Sequence, residues 1–235
     1  MLSIAPAALL GFVVGLRHAT EADHVAAVSA IVARERSVRG AAIVGAAWGL
    51  GHTTTLLALG GAIVVFGLAV PKSVALSLEL AVGAMLIGLG VWNVASRRRG
   101  AHASARHGAA DHAHATAAEH AHDLGARSSS PRRRALRPFV VGSMHGLAGS
   151  AAAAILVVAA VPSAAWGLAY LFVFGLGTTL GMTLITAALS LPLGGALRRF
   201  HNAETWLRVG SGALSCAIGA LLVYQIGFHD GLFLR

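Results

Sequence analysis

Long apolar stretches separated by short polar ones run the length of the chain, and none shows the strict alternation of a half-buried strand. A membrane core of about 30 Å takes roughly 20 apolar residues as helix. Six blocks reach that length: Ala5–Val32, Gly40–Val70, Val74–Ala95, Pro138–Val161, Ala164–Leu191 and Thr205–Phe228. The pattern therefore predicts an all-α integral membrane protein with six transmembrane helices. The second block is long for one crossing, which predicts tilt or an internal break.

The two halves of this pattern align with each other. GLRHATEADHVAA, from Gly15, lies over GSMHGLAGSAAAA, from Gly142, at an offset of 127 that pairs Gly15 with Gly142 and His18 with His145. WGLGHTT, from Trp48, lies over FGLGTT, from Phe174, at an offset of 126. This second match pairs Gly49 with Gly175, Gly51 with Gly177 and Thr53 with Thr179, and sets His52 opposite Thr178. Gly90 and Gly219 correspond at an offset of 129. An odd number of spans per copy means that the second copy enters the membrane upside down. The expectation is a 3+3 inverted repeat with interrupted helices: residues 1–96, a loop at 97–137, and residues 138–235. That is the plan of alternating-access carriers, whose two halves rock about a central site.

Composition narrows the class. The charged share is 11% and the mean hydropathy +0.73, against roughly 25% charged residues in an average soluble domain. A water-soluble enzyme is thereby excluded, and unbroken apolar blocks do not suit an outer-membrane barrel. The single cysteine, Cys216, excludes an internal disulfide and a cysteine-cluster metal site. The net charge of +9 comes from 17 arginines and one lysine, nearly all placed between apolar blocks. Such residues face an anionic membrane surface, not nucleic acid. Arg34, Arg36 and Arg39 lie in the first connection. The third holds Arg97, Arg98, Arg99, Arg106, Arg127, Arg132, Arg133, Arg134 and Arg137, and the fifth Arg198 and Arg199. The opposite side has only Lys72 and Arg235. The positive-inside rule then predicts a multi-pass protein of a bacterial-type cytoplasmic membrane, with these three loops inside and both termini outside. The opening MLSIAPAALLGFVVGL has no basic n-region, which argues against a cleaved signal peptide.

Ionisable groups inside a span are costly and point to function. The first block carries Arg17-His18-Ala19-Thr20-Glu21-Ala22-Asp23-His24. At about 100° per residue, His18, Glu21 and His24 share one arc of a helix and Asp23 falls outside it. For all four to meet one ion, the helix must unwind here, as it can where it lines a cavity. The second block adds His52 within Gly49–Thr55, whose hydroxyls can satisfy freed carbonyls, and the fourth adds His145 among small residues. Imidazole with carboxylate suits nickel, cobalt, copper or zinc, and the lack of thiolate with only 4 methionines disfavours monovalent copper. The candidate metal site is His18, Glu21, Asp23, His24, His52 and His145. A structural alternative has Asp23 neutralising Arg17. Glu79 and Arg208 sit near span ends and read as snorkelling or helix–helix contacts.

The third connection holds six of the 12 histidines, His102, His107, His112, His114, His120 and His122, interleaved with Asp111, Glu119 and Asp123. With almost no large apolar residues it cannot build a core, which predicts a disordered segment that binds divalent metal weakly. An inert linker is the alternative.

RHATEADHVAAV (Arg17–Val28) resembles the H-x4-D-H motif of the nickel/cobalt permease family, and GLGHTTT (Gly49–Thr55) resembles that family's second motif. The six-span size is similar to its shorter, urease-accessory-type branch. The resemblance implies transport of divalent nickel or cobalt, with metal recognition carried by His18, Asp23, His24 and His52. It makes the metal a cargo, with no cofactor besides. The partners expected are the ion and the bilayer, with no nucleic acid, and the oligomeric state is left open. Glu21 stands where the long permeases have Asp, and HGLAGSAA lacks the acidic residues of their third motif. A His-rich loop in a six-span frame also resembles the nickel/cobalt efflux family, whose H-x-x-E-x-G-H motif has glycine where this chain has Asp23. Uptake is the first reading, efflux the second and a membrane metal sensor the third. An intramembrane metalloprotease would need two histidines four apart with an adjacent glutamate, a spacing that His18, Glu21 and His24 do not have.

Overall fold

The polar run of the first block ends one helix and starts another. In the computed structural model, which describes residues 4–32, 35, 37–107, 135–147, 163–199 and 203–233, α1 is Ile4–His18 and α2 is Ala22–Val32. Between them Thr20 N–H and Glu21 N–H bond back to Arg17 O at 2.8 Å and His18 O at 3.1 Å, a tight three-residue closure in place of helical bonds. The Thr20 hydroxyl adds a second bond to Arg17 O at 2.6 Å. Asp23 in the first turn of α2 accepts from the N–H of His24 at 2.9 Å, which suits the positive end of a helix. The first block is thus two short apolar helices, and neither alone is long enough to cross.

The second block does not break. Helix α3 (Val38–Thr55) starts at Ser37, whose hydroxyl accepts from Gly40 N–H at 3.0 Å. It widens into a π-helical turn at Leu56–Gly60, continues as α4 (Gly61–Phe66), and stops at Gly67 with φ of 60°. The extra residue of the π turn is absorbed just after the Thr53-Thr54-Thr55 run. There the Thr54 and Thr55 hydroxyls bond the carbonyls of Leu50 and Gly51 at 2.7 and 3.2 Å.

Helix α5 (Lys72–His107) carries a spanning stretch, Lys72–Ala95, and then runs on past the expected boundary at residue 97. Arginine and alanine favour helix, and no proline lies between Ala95 and His107 to stop it. His102 and His107 therefore lie on helical backbone, whereas His112, His114, His120 and His122 lie outside the described residues. Helix α6 covers residues 135–147, and residues 148–161 of the expected fourth block are also outside the description. Helices α7 (Ala164–Arg199) and α8 (Ala203–Tyr224) complete the chain, α8 closing in a π turn at Gln225–His229. Among the described residues, four helical stretches, Val38–Phe66, Lys72–Ala95, Ala164–Pro192 and Thr205–His229, are long and apolar enough to cross a membrane, and there is no strand.

Among the described residues, three extensive helix pairings, α5 on α8, α3 on α7 and α1 on α7, each join residues 1–96 or their extension to residues 138–235. Lipid offers no hydrophobic drive for helices to associate, so small residues that let backbones approach do this work. A Cβ on Gly51 would strike the Phe139 carbonyl, and one on Gly177 the Phe12 carbonyl. Likewise Gly15 lies against the Phe174 carbonyl, Gly142 against that of Trp48, and Gly90 and Gly212 face each other as Gly83 and Gly219 do. Helix α2 packs against α3, α5, α7 and α8, and it supplies Ala27, Val28 and Val32 to a buried cluster with Trp48, Leu86 and Met182.

Candidate metal site

The break at Ala19–Glu21 turns the chain so that the last residue of α1 and the first turn of α2 face one another. His18 and His24 come together with ring centroids 4.5 Å apart, in place of the fixed stagger that a continuous helix imposes. His52 enters from the last turn of α3, with its ring 5.3 Å from His18 and 5.4 Å from His24. From the other half, α6 brings His145 to 4.2 Å from His24 and 6.0 Å from His52. His24, His52 and His145 are all buried.

The two carboxylates sit behind these rings. Asp23 Oδ1 accepts from His24 Nδ1 and Asp23 Oδ2 from His145 Nε2, both at 3.0 Å, so one carboxylate ties the two halves together. Glu21 Oε2 accepts from His18 Nδ1 at 3.1 Å and is more exposed. Single donor atoms of His18, His24 and His52 lie within 4.8 Å of one another, as do those of Asp23, His24 and His145. A divalent transition ion binds imidazole nitrogen at about 2.1 Å. Donors around it are then at most about 4.2 Å apart, a small contraction from what is found. Among the described residues, His24 Nε2, His145 Nδ1 and both ring nitrogens of His52 are buried with no hydrogen-bond partner, a costly arrangement unless a ligand satisfies them.

All six residues singled out in the spans thus converge, His145 by way of its bond to Asp23. Asp23 reaches His24 and His145; no ion pair joins it to Arg17 among the described residues. Glu79 and Arg208 lie on α5 and α8, which lend no described side chain to the cluster. The sequence reading used Trp48 only as an alignment anchor, yet its indole is a wall of the site. It stacks on His24 at 6.3 Å and 12°, and stands edge-on to His145 at 5.9 Å. Phe174, its counterpart in the second half, lies 5.4 Å from His18. The signal was in the alignment, which pairs Trp48 with Phe174 just as it pairs His145 with His18.

The family described as high-affinity nickel-transport protein (NicO) matches residues 4–199. The chain belongs to this family. It is a family of transporters, not enzymes, and with its apolar helices the chain is a multi-pass membrane protein. It is also similar to the urease accessory protein UreH of Bacillus sp. (strain TB-90), at 34% identity over 224 residues that cover 95% of this chain and 93% of the relative. No solved structure matches it. Nickel is thus the substrate of the family, and the nitrogen-rich donor set is of the kind that binds it.

Proposed function

We propose that this protein imports divalent nickel, with cobalt as a second cargo, by alternating access at the His18, Asp23, His24 and His52 cluster, with Glu21 and His145 adjoining. The observation that carries the reading is the set of buried, unpartnered imidazole nitrogens gathered from both halves of the chain. A relative named as a urease accessory protein supports supply of metal to an enzyme, and hence inward transport.

The protein crosses the membrane six times as an inverted repeat, with α1 and α2 together making the first crossing and α6 opening the fourth. Reciprocal contacts support this. Gly51 against Phe139 is matched by Gly177 against Phe12, Gly15 against Phe174 by Gly142 against Trp48, and His18 beside Phe174 by His145 beside Trp48. A two-fold relation requires such exchange, in which residue i meets j and the equivalent of j meets that of i. The connections that carry Arg34, Arg36 and Arg39, the nine arginines from Arg97 to Arg137, and Arg198 and Arg199 face the cytoplasm of a bacterial-type cell. Two rigid halves rocking apart would tear the α1–α7, α3–α7 and α5–α8 seams. Motion fits better between the α1, α3, α6 and α7 group and the α5–α8 pair, with α2 and its Asp23 and His24 between them.

Accumulation of radiolabelled nickel in cells expressing the chain tests the reading. Raised accumulation that disappears in His24→Ala supports import. Lowered accumulation makes it an exporter, the second reading, which the His-rich stretch at residues 102–122 favours. No change relative to His24→Ala removes transport altogether.

A further inference from the structure

The six clustered residues do not stand equally toward the ion. Each carboxylate is already engaged with the Nδ1 edge of a histidine, Glu21 with His18 and Asp23 with His24. An ionised carboxylate only accepts hydrogen bonds, so in both pairs the imidazole Nδ1 carries the proton and the Nε2 lone pair is left for something else. His24 Nε2 is buried and without a partner, as are both nitrogens of His52, and single donor atoms of these two and of His18 lie within 4.8 Å of one another. By contrast, in the group Asp23, His24 and His145 the carboxylate already accepts three hydrogen bonds, two from His24 and one from His145. An ion ligated by Asp23 would compete with the bonds that orient both rings, although His145 Nδ1 is also buried and without a partner among the described residues.

We propose that the ion is bound by the ring nitrogens of His18, His24 and His52, and that Asp23 and Glu21 are positioning residues that set the tautomer and aim of the rings without touching the metal. This rests on the reading of the cluster as the ion site. Carboxylates that orient metal-binding histidines in this way raise the basicity of the ligand, and their loss costs about 10- to 100-fold in affinity. Asp23 does this twice over, because its second oxygen holds His145 of the other half. Glu21, more exposed and with one partner, contributes less.

Cobalt(II) binding to the purified full chain in detergent tests the assignment, in a Cys216→Ser background that removes the only native thiol. A thiolate bound directly to cobalt(II) gives an intense near-ultraviolet charge-transfer band, whereas a thiol one bond further out gives none. His52→Cys or His24→Cys should show the band. Asp23→Cys should bind cobalt 10- to 100-fold more weakly and show no band. Asp23→Asn should keep the visible spectrum of the parent at reduced affinity, and Glu21→Gln should do so with a smaller loss. A band in Asp23→Cys, an altered spectrum in Asp23→Asn, or the absence of a band from both histidine replacements overturns the assignment. If the parent itself binds no cobalt or nickel, it is the reading of the cluster as an ion site that fails.

Discussion

The hydroxyls of Thr53 and Thr179 are hydrogen-bonded to each other at 2.9 Å, although 126 residues separate them, the same interval that aligns the two GLG motifs. Thr53 also donates to the carbonyl of Gly175 at 2.9 Å, so in the pair Thr179 is the donor and Thr53 the acceptor. The α3–α7 seam is therefore pinned at equivalent positions of the two sequence segments. Thr53→Val removes both bonds and Thr179→Val one. We expect losses of about 1–2 and about 0.5–1 kcal/mol, with a coupling near 0.6 kcal/mol, an ordinary value for a hydrogen bond between membrane helices. A double-mutant cycle by denaturant unfolding in detergent measures all three, and a zero coupling would contradict the pairing.

Glycines on the seams should be sensitive and glycines elsewhere should not. Gly51 and Gly177 each leave no room for a Cβ, because the Phe139 and Phe12 carbonyls occupy that space, whereas Gly88 and Gly210 have nothing within 4 Å. Gly51→Ala and Gly177→Ala should each cost about 1–3 kcal/mol by overpacking. Gly88→Ala and Gly210→Ala should stay within about 0.5 kcal/mol of the parent. Melting temperatures of the four purified variants decide the matter, and equal losses would refute the close approach.

Asn93 holds α2 in place. Its buried amide donates to the carbonyl of Ala30 on α2 at 3.0 Å and to the hydroxyl of Ser211 on α8 at 3.1 Å. Replacing it with alanine leaves that carbonyl without this donor, at a cost of about 1–3 kcal/mol. The same change should raise hydrogen exchange along Ala22–Val32 more than along α3. Uniform exchange after Asn93→Ala would show that α2 is held by other means.

Metal loading should depend on pH with a definite sign. A ligand imidazole must be neutral, and an unperturbed histidine titrates near 6.5. Protons thus compete with the ion as pH falls, and each proton displaced on binding weakens apparent affinity by up to about tenfold per pH unit. Nickel affinity of the purified protein should fall, and never rise, as the pH is lowered from 7.5. A profile that rises on acidification would mean that the histidines are not the donors.

Much of the site was legible because membrane chemistry makes polar residues conspicuous. His18, Glu21, Asp23, His24 and His52 stand out against an apolar background, and only the internal alignment promoted His145 from a lone histidine to the counterpart of His18. The need for Asp23 and His24 to meet the same pocket forecast unwinding within this segment, and the chain does leave the helix at Ala19–Glu21. Two things were not legible. Trp48 looked like any apolar residue, since its role depends on what stacks against it. Nor does hydrophobic periodicity tell which helix a face will meet, so the packing of α1 against α7 instead of α3 had no signal beyond the glycines. In the second block, length announced an irregularity, but a π turn at Leu56–Gly60 and a break present the same excess of apolar residues.

The interleaving of the chain has a consequence for its birth. Synthesis proceeds from the N-terminus, so α1 through α5 are made before α6, α7 and α8 exist. Until then the grooves at Gly15 and Gly51 stand open to lipid tails, and one oxygen of Asp23 lacks its imidazole from His145. The front portion therefore completes its packing only when the trailing segments are made. Assembly is decided late, when the trailing segments slide into clefts that have been waiting for them.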